Sequence, residues 1–143
     1  MASSRKVIKG IMKQLKKDPN NPKLYQQLGD AYREQNKIDE ALNAYKKSAE
    51  LYEQQSKPQA AISVYRQMLS LDPKQPLINM KLASLYVQTD STGDAKAQLE
   101  LAIKEFEARG DSENLQRAQK MLGDLAPAAW LQKVRDALDA HRS

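Results

Sequence analysis

Apolar residues recur along this chain at intervals of three and four, the spacing that gathers them on one side of an α-helix. Val7, Ile8, Ile11, Met12 and Leu15 make one such stripe near the start, and Leu131, Val134 and Leu138 make another near the end. β-branched residues are too scattered to form strands. Pro19, Pro22, Pro58, Pro73, Pro76 and Pro127 fall between the periodic segments, where a helix tolerates a missing N–H. The pattern predicts about eight helices, near 4–17, 22–36, 38–55, 57–71, 76–89, 92–109, 111–125 and 128–140. Their short connections make successive helices antiparallel.

The helix expected over 76–89 departs from the others. Leu77, Ile78, Met80, Leu82, Ala83, Leu85, Tyr86 and Val87 give it two apolar stripes, where a surface helix needs one. Ile78, Leu82, Leu85 and Tyr86 form the stripe expected to face the core, and Leu77, Met80 and Val87 form the surplus.

A search for internal repetition gives a period of 54. It separates Pro19, Pro73 and Pro127, and also the pairs Pro22/Pro76, Leu28/Leu82, Gly29/Ala83, Tyr32/Tyr86, Ala41/Ala95 and Tyr52/Phe106. Within each unit an aromatic precedes a packing residue by nine positions, as in Tyr32/Ala41, Tyr52/Ala61, Tyr86/Ala95 and Phe106/Leu115. Small residues at Gly29, Ala41, Ala61 and Ala95 let helices approach closely, while aromatics fill the next layer.

These residues carry a family resemblance. Leu28-Gly29-x-x-Tyr32 followed by Ala41-x-x-x-Tyr45 resembles the tetratricopeptide repeat, and Ala61-x-x-x-Tyr65 with Asp72-Pro73 and Leu82-Ala83-x-x-Tyr86 with Ala95-x-x-x-Leu99 continue it. The resemblance covers about residues 7–127 and implies an all-α fold, a right-handed α-solenoid of antiparallel helices. Family repeats recur every 34 residues, whereas Tyr32 to Tyr52 and Tyr86 to Phe106 are 20 apart. One helix therefore closes one repeat and opens the next: in 38–55, Ala41 and Tyr45 serve the first motif, Ala49 and Tyr52 the second. The last motif is degraded, with Ile103 and Gln119 where a small residue and an aromatic belong.

By size the chain is expected to be one domain: a basic end helix in 1–18, repeats in 19–127 and a capping helix with its tail in 128–143. Helix 4–17 matches the trailing helix of a repeat, since Val7, Ile11 and Pro19 correspond to Ala61, Tyr65 and Pro73. Trp130 is read as core packing of the cap.

In tetratricopeptide proteins the first helix of each repeat lines a concave groove that binds peptides or domains of another protein. Carried over by motif position, the groove takes Lys23, Gln26, Asp30 and Arg33 from the first repeat, and Asn43, Lys46, Glu50 and Glu53 from the shared helix. The third repeat gives Leu77, Met80, Ser84 and Val87, with Lys81 alongside. The groove thus turns from polar to apolar along its length. Gln26 and Asp30 stand where the family's carboxylate clamp places a basic residue and Asn, so an apolar or helical partner suits it better. Three readings of Leu77, Met80 and Val87 stay open: a partner groove, a face covered by the C-terminal helix or a second copy, and scattered exposure. The 54-residue unit is also similar to modules of bacterial scaffold proteins, some of which recruit small Ras-like GTPases for polarity and motility.

Net charge +5 changes less than it first suggests. Arg5, Lys6, Lys9, Lys13, Lys16 and Lys17 stand in the first 17 residues without an acid, and the other 17 bases face 18 acids. The basic helix offers an alternative class, nucleic-acid or anionic-membrane binding, against an end helix with its lysines in water. A homo-oligomeric structural subunit is the third class.

Catalytic chemistry has little to work with. His141 is the sole histidine, there is no cysteine, and the glycines at 10, 29, 93, 110 and 123 form no phosphate loop. The expectation is a non-enzymatic interaction module with no cofactor and no metal. Absence of cysteine and of a leader-like start makes the cytoplasm the default compartment.

Overall fold

The computed structural model describes residues 2–142, and the side chains of 4–125, 131 and 133–142. Its seven helices are α1 (Ala2–Lys17), α2 (Pro22–Glu34), α3 (Ile38–Gln54), α4 (Pro58–Leu71), α5 (Pro76–Gln88), α6 (Thr92–Arg109) and α7 (Ser112–Arg142). No strand occurs among the described residues. None of these helices is long and apolar enough to cross a membrane.

Helix starts follow proline chemistry. Pro22, Pro58 and Pro76 occupy the first turns of α2, α4 and α5, where the N–H they lack has no intrahelical acceptor. Asn21 caps α2 by accepting from the Lys23 N–H at 3.0 Å. At α7, Asp111 accepts from the Asn114 backbone N–H at 3.2 Å and from the Asn114 side chain at 2.8 Å. Those hydrogen bonds hold the Asp111 carboxyl below its ordinary pKa.

Helix ends repeat one device. Asn36, Ser56, Asp90 and Gly110 all adopt left-handed backbone, at φ 60°, 57°, 59° and 67°. The next residue returns its N–H to an aromatic residue's carbonyl: Lys37 to Tyr32, Lys57 to Tyr52, Ser91 to Tyr86 and Asp111 to Phe106, at 2.8–3.0 Å. This six-residue closure stops each helix and reverses the chain. The aromatic spacings of 20 and 54 are therefore the spacings of turns as well as of packing.

Two compact units result, residues 1–73 and 74–143. In the first, α1 lays Ile8, Ile11 and Leu15 against Leu24 and Leu28 of α2, with Ala44, Tyr25 and Tyr32 completing the cluster. Helix α3 packs between α2 and α4. In the second, α6 packs between α5 and α7, around Met80, Ala83, Ala95, Leu99, Ala102, Phe106 and Ala118. The small contact residues Ala41, Ala49, Ala61, Ala83 and Ala95 are all 0% exposed.

Among the described residues, the stretches expected as separate helices at 111–125 and 128–140 form one continuous helix, α7. A proline inside a helix removes a donor and weakens it by roughly 3 kcal/mol. Ala126, Ala128 and Ala129, among the best helix formers, surround Pro127, and residues 126–135 hold none of the four residue types (Asn, Ser, Asp, Gly) that make the left-handed stops elsewhere in the chain. Trp130, assigned to core packing from sequence, lies outside the described side chains.

Candidate interaction surface

Comparing each expected groove residue with its counterpart 54 positions away shows how the units differ. In residues 1–73 the face is polar and knitted together. The Gln26 side chain donates to Gln67 of α4 at 3.0 Å, closing α2 and α4 over α3. The Tyr45 hydroxyl of α3 donates to Asp30 of α2, and Asp30 also lies 3.7 Å from Arg33. The Tyr65 hydroxyl of α4 donates to Glu53 of α3 at 2.5 Å. Burial, then the hydrogen bond to Asp30 and its charge, push the Tyr45 hydroxyl well above the ordinary tyrosine range. Burial does the same to Tyr65, followed by the hydrogen bond to Glu53 and the charges of Glu53 and Glu50. Gln26, Asp30 and Glu50 are half-buried, whereas Arg33, Asn43 and Lys46 are exposed.

In residues 74–143 the counterparts of Lys23, Gln26 and Arg33 are apolar, whereas those of Asp30, Lys46, Glu50 and Glu53 are Ser84, Glu100, Lys104 and Glu107. Met80 and Met121 stand where Gln26 and Gln67 pair, and both belong to the core cluster of that unit. Met80 is 7% exposed and so is not part of an open stripe, which corrects its assignment to the groove surface. The shared-helix arrangement is the reason. It brings a third helix, α7, over the residue that a two-helix repeat would leave facing the groove. Leu77 and Val87 do remain open, at 55% and 46% exposure, beside exposed Lys81 and Ser84. They occupy the positions of Lys23 and Arg33 in the first unit, both exposed.

Besides Leu77 and Val87, one more exposed apolar replacement lies on α6. Leu101 of α6 is 55% exposed where the first unit has exposed Lys47. Comparison at the 54-residue period reveals it; the apolar periodicity of α6 alone does not, because Leu101 is off the stripe formed by Ala95, Leu99, Ala102 and Phe106.

On α1, Arg5, Lys6, Lys9, Lys13, Lys16 and Lys17 are all exposed. The apolar side of this helix is largely committed to α2, leaving Val7 and Met12 open at 51% and 44%.

Among solved structures, the chain is similar to a crystal structure of MamA protein at 18% identity, covering 87% of this chain and 83% of that one, with a TM-score of 0.41. It is similar to a chain of the APC/C hetero-tetramer Cut9–Hcn1 at 16% identity, covering 80% of this chain and 25% of that one, with a TM-score of 0.47. Similarity to pilF of Pseudomonas aeruginosa is 17% in identity over 89% of this chain and 71% of that one, with a TM-score of 0.38. No curated protein matches. Two family models, each described as tetratricopeptide repeat, match residues 12–43 and 52–122. With the repeated turns and small-residue contacts described above, these matches establish that the chain belongs to the tetratricopeptide repeat family.

Proposed function

We propose that this chain is a scaffold or adaptor that binds another protein, and that α5 presents the binding surface through Leu77, Ser84 and Val87, with Lys81 at its edge. Tetratricopeptide repeats are protein–protein interaction modules, which supports the general role. The observation carrying the particular surface is the exchange of exposed Lys23 and Arg33 in one unit for exposed Leu77 and Val87 in the other. The same local fold accepts cations there, so stability does not require these apolar side chains. Residues 77, 84 and 87 share one side of the helix, a pattern that fits the apolar face of a partner helix.

Leu77→Asp with Val87→Asp in the full chain is the test, using partner captured by the wild type and then purified. Each filled apolar contact contributes about 1–3 kcal/mol, so the double variant should bind at least about tenfold more weakly. Its helicity and unfolding midpoint should stay near the wild-type values, because both sites are already half in water. Unchanged affinity removes the surface from the reading. Purified small Ras-like GTPase in both nucleotide states, added to the same assay, tests the partner class suggested by resemblance to bacterial scaffolds. Binding in neither state excludes that class.

A further inference from the structure

We propose that the chain associates head to tail, with the C-terminal part of α7 of one copy lying in the groove between α1 and α2 of the next. The groove is defined by the repeat. Val7 and Ile11 of α1 correspond to Ala61 and Tyr65 of α4, which are 0% and 1% exposed. Helix α3 packs on α4, and Glu53 accepts from the Tyr65 hydroxyl. On α1 the corresponding face is open at Val7. Ile11 is 6% exposed but Val7 is 51%, and with Gln27, Asp30, Ala31 and Glu34 of α2 they line an open groove of about 300 Å³. A face used elsewhere in the chain to receive a helix is thus available here.

Helix α7 supplies a segment that fits it. Leu131 and Leu138 are 48% and 54% exposed, and half-buried Val134 falls between them on the same stripe. From Leu131 to Leu138 the helix rises about 10.5 Å, the same rise as Gln27 to Glu34 along the bank of the groove. Charge favours this pairing over two tails side by side. Arg135 and Arg142 flank one side of the leucine stripe, and the α2 bank carries exposed Glu34 beside Asp30, whose carboxylate is shared with the Tyr45 hydroxyl and Arg33. Antiparallel pairing of two tails would set those arginines against each other. Tail in groove joins two different surfaces, so each added copy presents a fresh groove or a fresh tail.

Sedimentation of three full-length proteins, from micromolar to millimolar concentration, tests the proposal. Wild-type mass should rise with concentration. Val7→Asp, which spoils the groove, and Leu131→Asp with Leu138→Asp, which spoils the tail, should each weaken association about tenfold or more. An equimolar mixture of the two variants should form dimers and stop there, because one intact tail meets one intact groove. Circular dichroism checks that both variants keep their helicity; if Val7→Asp does not, Glu34→Lys replaces it with the same outcomes required. A wild type that stays monomeric, a groove variant that associates like wild type, or a mixture that stays monomeric each overturns the proposal.

Discussion

A Cβ placed on Gly29 would stand 2.6 Å from the Tyr45 ring carbons, closer than packed atoms come, so these two residues are matched. The ring has no room to yield, being 0% exposed with its hydroxyl held by Asp30. Fifty-four residues on, the counterparts are Ala83 and Leu99, a methyl group facing a smaller side chain. Helix propensity alone would favour alanine at position 29 by about 1 kcal/mol. Overpacking against a fixed ring outweighs it, and Gly29→Ala should destabilise by about 1–2 kcal/mol in denaturant unfolding. Combined with Tyr45→Leu, the pair should be more stable than the sum of the single changes by about 0.5–3 kcal/mol. Strict additivity would disprove the match. The buried tyrosines also set an alkaline limit. Their folded pKa values lie above the unfolded value of about 10, so their contribution is complete below that pH and is lost as pH rises toward the folded values. Above pH 10 each tyrosine should lower stability by up to about 1.4 kcal/mol per pH unit. Tyr45→Phe and Tyr65→Phe should each flatten that slope, read by denaturation at a series of alkaline pH values. An unchanged slope in both variants would refute the assignment.

At the scale of helices, most of the architecture is legible in the sequence because most boundaries have a local chemical cause. Proline fixes the first turns of α2, α4 and α5, and the aromatic-to-left-handed closure fixes the ends of α2, α3, α5 and α6. The length of α7 is not legible in the same way. Pro127 is a local stop signal whose effect depends on whether the chain can gain more by turning, and an alanine-rich context lets the helix continue. Groove residues are legible as positions but not as environments. Nothing local distinguishes Met80 from Leu77 or Val87; what separates them is Met121, 41 residues away on a helix that the overlapping repeat brings into reach. Gln26 and Gln67 form the polar version of that long-range pair. On α5 the exposed apolar residues therefore narrow to Leu77 and Val87, and Leu101 is an exposed replacement on α6.

At the scale of the molecule, each compact unit has its own core, and each of these two clusters draws on one unit only. Repeat arrays of this kind gain stability from each unit and from neighbouring contacts, so a core lesson should be felt first where it is made. Met80→Ala removes a buried side chain from the cluster on α5, α6 and α7 and should weaken it by about 2–5 kcal/mol. For about 70 residues the whole stability is on the order of 4–11 kcal/mol, so this loss is a large share of one unit's total. Hydrogen exchange on the full chain is the suitable readout, because it resolves opening along the sequence. Met80→Ala should speed exchange most in residues 76–122, and Gly29→Ala most in residues 22–71. A partner bound at the proposed surface of Leu77 and Val87 should reverse the first pattern and leave the second, since a ligand stabilises the segment it holds. Equal acceleration across both units by either substitution would mean that they open as a single cooperative body, and binding on α5 would then stiffen α2 to α4 as well.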